Sequence, residues 1–124
     1  MQEEKIIISL GGSIIVPNEI DIDFLRNFKD LIASYVKQGK RFIIITGGGK
    51  TCRVYQDASR KLCNPTSEDL DWIGIKSLKL NAELVRVIFG ELAHKKVIEN
   101  LALPFDFNTP ILIGSACEPG HSTD

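Results

Sequence analysis

The 124-residue sequence predicts an α/β fold, a mostly parallel sheet with helices on its faces. Two near-continuous apolar runs, Lys5–Leu10 and Phe42–Thr46, have the pattern of parallel strands covered on both faces. A segment of helical period separates them, and each run stops at glycines: Gly11-Gly12-Ser13 after the first, Gly47-Gly48-Gly49-Lys50 after the second. A strand, a helix and a strand in this order form a right-handed βαβ unit whose strand ends share one edge of the sheet. Both glycine clusters are therefore expected at that edge, which is where open α/β sheets take their ligands.

The elements follow in order. After the first strand, Pro17-Asn18 marks a loop, and Asp21 or Asp23 can cap a helix running to about Gln38. Phe24, Leu25, Phe28, Leu31, Ile32 and Tyr35 recur there at helical spacing, and Gly39 is the C-terminal stop. Beyond the second strand a helical pattern runs from Lys50 to about Leu62 and breaks at Asn64-Pro65-Thr66-Ser67. A longer helix is expected from about Glu68 through Leu92, with Leu70, Ile73, Leu78, Leu84, Val85, Ile88, Phe89 and Leu92 as its buried stripe. Gly74 and Gly90 are its weak points. Short strands are expected near Lys96–Glu99 and Pro110–Gly114, and Cys117–Asp124 reads as a functional loop leading into another helix that Ser122, Thr123 or Asp124 would cap.

Composition narrows the function classes. With 44% hydrophobic and 25% charged residues the chain reads as one globular unit long enough for a core. A net charge of −1 provides no general basic field for nucleic acid or an acidic membrane, so neither is an expected partner and an anion site must be built locally. Lys50, Arg53, Arg60 and Lys61 are the cations available for it. Met1–Lys5 is charged and leads into a run too short to be a signal peptide or a membrane span, which makes the cytoplasm the expected location. Cys52, Cys63 and Cys117 are odd in number and lack ligand spacing, which argues against a disulfide framework and a zinc site, and no protein-held metal is expected.

The glycines carry the chemistry. A strand that stops at glycine lets the backbone approach a charged ligand, because no Cβ intervenes and positive φ is open. A helix starting just beyond adds its free N–H groups and the positive end of its dipole. The ligand expected is a phosphate, and two such corners suit a site holding more than one phosphate group, as phosphoryl transfer requires. A P-loop is excluded, since its spacing would place the first glycine where Ile44 stands, and no Gly-x-Gly-x-x-Gly run exists.

In order and spacing, these motifs resemble the amino acid kinase superfamily and, within it, the archaeal-type uridylate kinases. The likeness spans Leu10-Gly-Gly-Ser13 with Val16-Pro17, Asp21-Ile-Asp23-Phe24, Gly47-Gly-Gly-Lys50 with Arg53 and Tyr55, Asp71-Trp-Ile-Gly-Ile75, Leu80-Asn81-Ala82 and Pro119-Gly-His-Ser-Thr-Asp124. It implies an αβα sandwich of two lobes, in which residues 1–124 are the N-terminal acceptor-binding lobe and the ATP-binding lobe lies beyond Asp124, so that the chain alone is expected to be inactive. The implied reaction is phosphoryl transfer from ATP to UMP, with Mg²⁺ carried on ATP and no covalent intermediate. A homo-oligomer, commonly a hexamer, is also implied.

Carried over position by position, the resemblance puts Gly12 and Ser13 against the transferring phosphoryl group. Gly48 and Gly49 would offer N–H groups to the acceptor and donor phosphates, and Arg53 would add a charge-assisted contact. ATP would thus meet Gly12, Ser13, Gly49 and Arg53. Asp71 would bind the ribose hydroxyls of the acceptor, and Cys117, Glu118, Pro119, Gly120, His121, Ser122 and Thr123 would wrap the nucleotide.

The chain also departs from the pattern. Ser9 stands where many relatives have a lysine that neutralises the phosphoryl in flight, Ser115-Ala116 replaces a usual Gly-Gly, and Glu118 stands where a basic or neutral residue is common. Rival readings are a related kinase of a carboxylate, a carbamate or isopentenyl phosphate, and a non-catalytic anion-binding oligomer of the same fold. Plainer roles also stand beside the functional ones: Asp71 as a helix cap, His121 at the surface, Tyr55 in packing, and Trp72 with Leu80–Ala82 in the core or a subunit interface.

Overall fold

A computed structural model describes residues 5–99 and 108–115. The elements run β1 (Lys5–Leu10), α1 (Gly12–Ile15), α2 (Ile22–Lys37), β2 (Arg41–Thr46), α3 (Gly49–Leu62), α4 (Ser67–Phe89), a 3₁₀ turn (Gly90–Leu92) and β3 (Ile111–Gly114). The three strands form a parallel sheet in the order β1-β2-β3, with Leu10 beside Thr46 and Ile45 beside Gly114. Right-handed crossovers in a sheet of sequential order deliver α2 and α4 to the same face. There Ile6, Ile8 and Leu10 of β1, Phe42 and Ile44 of β2, and Ile111 and Ile113 of β3 meet Leu25 and Ile32 of α2 and Ala82, Val85 and Phe89 of α4. Phe28 stacks on Phe24 and meets the edge of Phe89, closing the core between the two helices.

The helix ends obey local chemistry. Asp21, of the two candidates, caps α2 by accepting from the Phe24 N–H at 3.0 Å, and Gly39 at φ +89° ends it. Thr66 and Asp69 form a reciprocal capping box on α4, each side chain bonding the other's backbone N–H at 3.0 Å. Gly74 does not interrupt α4, which runs unbroken past it, and the Cys52 thiol lies 3.6 Å from where a Cβ would stand, an ordinary contact. Gly90, at φ +57°, does end the α-helix, and the expected run to Leu92 finishes as a 3₁₀ turn.

Three expectations are corrected. β1 is an edge strand whose outer face is open among the described residues, with Ile7 67% exposed; an apolar run shows what a strand can bury but not which neighbours stand beside it. Leu31, on the expected stripe of α2, is 53% exposed, because α2 presents only Leu25 and Ile32 fully to the sheet. Near Lys96–Glu99 there are isolated parallel bridges, Ala93 to Ile111 and Ile98 to Gly114, rather than a continuous strand. No helix among the described residues is long and apolar enough to cross a membrane. The expected loop and helix cap at Cys117–Asp124 lie outside the described residues.

Candidate functional site

The two glycine clusters lie at the same sheet edge and touch. After β1 the chain turns through α1, closed by the Val16 N–H on the Gly12 carbonyl at 2.8 Å, and lies across the end of β2. The Gly47 N–H donates to the Leu10 carbonyl at 3.2 Å and the Lys50 N–H to the Val16 carbonyl at 3.0 Å. Between these bonds there is room for hydrogen only: a Cβ on Gly12 would stand 2.6 Å from the Gly48 backbone, and one on Gly47 would stand 2.7 Å from Gly12 N. One on Gly48 would be 2.8 Å from the Cys52 Cβ. Gly48 is in the right-handed region at φ −85° and ψ −37°, and Gly49 follows at φ +64°. That reversal turns successive N–H groups toward one side, the geometry of a backbone anion nest. It opens directly into α3, whose first turn leaves N–H groups without intrahelical partners.

α4 supports the corner from behind. The Thr46 hydroxyl donates to the Leu78 carbonyl at 2.9 Å, and the Asn81 carboxamide donates to the carbonyls of Gly47 at 2.8 Å and Gly48 at 3.1 Å. Glycine spacing and helical period do not link Asn81 to the corner. The available signal is a buried-stripe position occupied by an amide, a group that demands partners when buried.

The charged groups sort by pairing. Arg60 is held by Asp57 at 3.0 Å, whereas Arg53, exposed one turn beyond Gly49, has no ion pair among the described residues. Asp71 is exposed and without a hydrogen bond or ion pair among them, and since Thr66 caps α4, Asp71 does not. Along α4 it precedes Ser77, which packs against Gly48, by about 9 Å of helix rise. Ser13 is exposed on α1, while Ser9 lies exposed on the outer face of β1, away from the core. Ser115, one residue beyond β3, buries a hydroxyl that has no hydrogen-bond partner among the described residues. Cys117, Glu118, Pro119, Gly120, His121, Ser122 and Thr123 fall outside the described residues. Tyr55, expected in packing, is 64% exposed and lines a groove of about 280 Å³ between α3 and α4, with Trp72, Lys76 and Leu80 on its other wall. Among the described residues no group of three or more His, Cys, Asp or Glu is placed to hold a metal.

Cys52 sits directly under the corner. Burial pushes its thiol up, against the smaller opposing effects of the Ser77 hydrogen bond and the Arg53 and Arg60 charges. Since the thiolate is the nucleophile, Cys52 is expected to alkylate more slowly than exposed Cys63. Iodoacetamide labelling followed by peptide mass spectrometry at pH 8 checks this, and equal rates at the two thiols would mean that the α3–α4 contact opens readily.

Parallel strands whose ends converge on backbone N–H groups and a helix start define a class, the open α/β proteins that take ligands at the carboxyl edge of the sheet. Residues 4–104 match the profile of the amino acid kinase family, and the chain belongs to that family. It is 39% identical over 124 residues to a uridylate kinase of Thermoplasma volcanium, covering 98% of this chain and 52% of that protein. A uridylate kinase of Methanobrevibacter smithii is 32% identical over 122 residues, covering 97% and 53%. The crystal structure of uridylate kinase from Archaeoglobus fulgidus superposes with a TM-score of 0.75 at 30% identity, covering 96% of this chain and 53% of that one. The chain thus spans about half the length of the curated relatives it matches.

Proposed function

We propose that these residues form the acceptor-binding lobe of a uridylate kinase, which transfers a phosphoryl group from ATP to UMP to give ADP and UDP. The observation that carries this reading is the backbone contact between the two glycine corners at the start of α3, with Arg53 one turn into that helix and without an ion pair among the described residues. The Gly48 and Gly49 N–H groups receive the phosphates, Arg53 neutralises their charge, and Gly12 and Ser13 line the path of the transferring group. Asp71 takes the ribose hydroxyls and residues 117–123 enclose the nucleotide. Ser9 stands at the position of the usual lysine and supplies no cation.

Backbone N–H groups and a guanidinium are ligands for anions, so this corner fits nucleotide phosphates, and the expected Mg²⁺ belongs to ATP. When bound there it neutralises charge on the phosphoryl oxygens. The ATP-binding lobe is proposed to lie in the part of the relatives' length that this chain does not match. Trp72, Leu80 and Val87, exposed along one side of α4, support a helix-mediated homo-oligomer.

Titrating UMP into the isotope-labelled 124-residue chain is expected to shift the amide resonances of Gly12, Ser13, Gly48 and Gly49. Uridine, which lacks the phosphate, should leave them in place. Equal shifts with the two ligands, or none with UMP, would overturn the reading.

A further inference from the structure

Asn81 lies midway along α4, 3% exposed, on the stripe that Leu78, Ala82 and Val85 press against the sheet. Its Nδ2 bonds two successive peptide carbonyls, Gly47 at 2.8 Å and Gly48 at 3.1 Å. Both partners are acceptors, so only the NH₂ end of the carboxamide can face them, and each of its two hydrogens serves one carbonyl. A trans peptide is planar, with its C=O and the following N–H pointing in opposite directions. Holding the Gly47 carbonyl toward α4 therefore turns the Gly48 N–H away from α4, and holding the Gly48 carbonyl does the same for Gly49.

We propose that Asn81 is a positioning residue for the phosphate site: it aims the Gly48 and Gly49 N–H groups before any nucleotide arrives and itself touches no substrate. Donors that are already oriented need no reorganisation when charge is bound or moved, which is where such groups are most effective. α4 is held at the right height for this by Thr46, whose hydroxyl bonds the Leu78 carbonyl at 2.9 Å, and by Ser77, packed against Gly48. A glycine corner needs such an outside restraint because glycine has the widest backbone freedom of any residue. The proposal rests on the reading of this corner as a phosphate site.

Asn81→Leu keeps the branched shape of the side chain, removes both donors and adds no charge that would itself repel a phosphate. In the ligand-free chain it is expected to shift the Gly48 and Gly49 amide resonances and speed their hydrogen exchange, with Gly39, at the opposite end of β2, unmoved. UMP binding should weaken about ten- to a hundred-fold, in line with the loss of buried hydrogen bonds, while uridine binding is unchanged. A purely structural role would weaken both ligands alike, and that result, or undisturbed Gly48 and Gly49 amides, overturns the proposal. Should Asn81→Leu fail to fold, the wild-type chain still decides: slow exchange of the Asn81 side-chain NH₂ protons before UMP is added supports the proposal, and fast exchange overturns it. Wild-type protein that binds UMP no better than uridine removes the phosphate half of the proposal along with the site reading, and the ligand-free amide comparison then judges the positioning of the corner alone.

Discussion

Replacing Gly49 by alanine is expected to disable the corner and destabilise the whole chain. Gly49 sits at φ +64°, and a Cβ there would overlap the Gly12 carbonyl group and reach within 3.1 Å of the Val16 oxygen. The left-handed conformation costs a residue with a Cβ about 1–2 kcal/mol, and forcing a methyl into a packed contact costs about 1–3 kcal/mol more. Backbone cannot rotate aside as a side chain can, so the two clusters must separate. The effect is expected to reach about 2–5 kcal/mol in urea unfolding, a large part of the stability of a domain this size. Gly12→Ala should behave similarly, since its Cβ would meet Gly48 backbone from the other side. Two controls calibrate the series. Gly11 has negative φ, and a methyl added there would meet no neighbour closer than 3.9 Å, so Gly11→Ala should change stability by about 0.5 kcal/mol or less. Gly39 has φ +89° but open space around it, so Gly39→Ala isolates the backbone cost of about 1–2 kcal/mol. Gly49→Ala as stable as Gly11→Ala would show that the corners do not interlock.

Arg53→Ala is expected to weaken UMP binding about ten- to a hundred-fold with the fold intact, the usual scale for a charge-assisted hydrogen bond. Arg53 is exposed and contributes no core contact, so thermal unfolding should be unchanged within about 0.5 kcal/mol. Lys50→Ala is the comparison. The Lys50 backbone is tied to Val16, and its ammonium is a point charge without the planar fork that matches phosphate, so its loss should have the smaller effect. The difference between the two variants should narrow in high salt, because an exposed guanidinium is screened. Calorimetric titration of UMP into each variant checks this. Arg53→Ala indistinguishable from wild type, with Lys50→Ala severely impaired, would move the phosphate-binding cation to position 50.

Much of the fold is legible in the chain because its signals are local. The Asp21 cap, the Gly39 stop and the breaks at Asn64–Ser67 and Gly90 all act within a turn or two of the residues that cause them. The shared edge of the two glycine clusters is legible as well, since a helix between two strands is the crossover that joins parallel neighbours, and parallel strands end at the same edge. The exposure of Ile7 is not, since burial of a strand face depends on which elements cross over it. Nor is the position of Tyr55, because α3 lies against α4 rather than the sheet and buries none of its residues fully.

By itself the sequence determined the parallel strand, helix and strand order, the helix ends and the presence of two bare-backbone corners, all set by periodicity and by glycine's missing Cβ. Tertiary structure alone decided that the corners touch and that Asn81, more than thirty residues along the chain from the glycines it bonds, directs their carbonyls. The physical reason is one of range. Period, capping and turn chemistry act between neighbours in the chain, whereas a buried amide selects its partners only after α4 has packed across the end of β2 and taken water away from it.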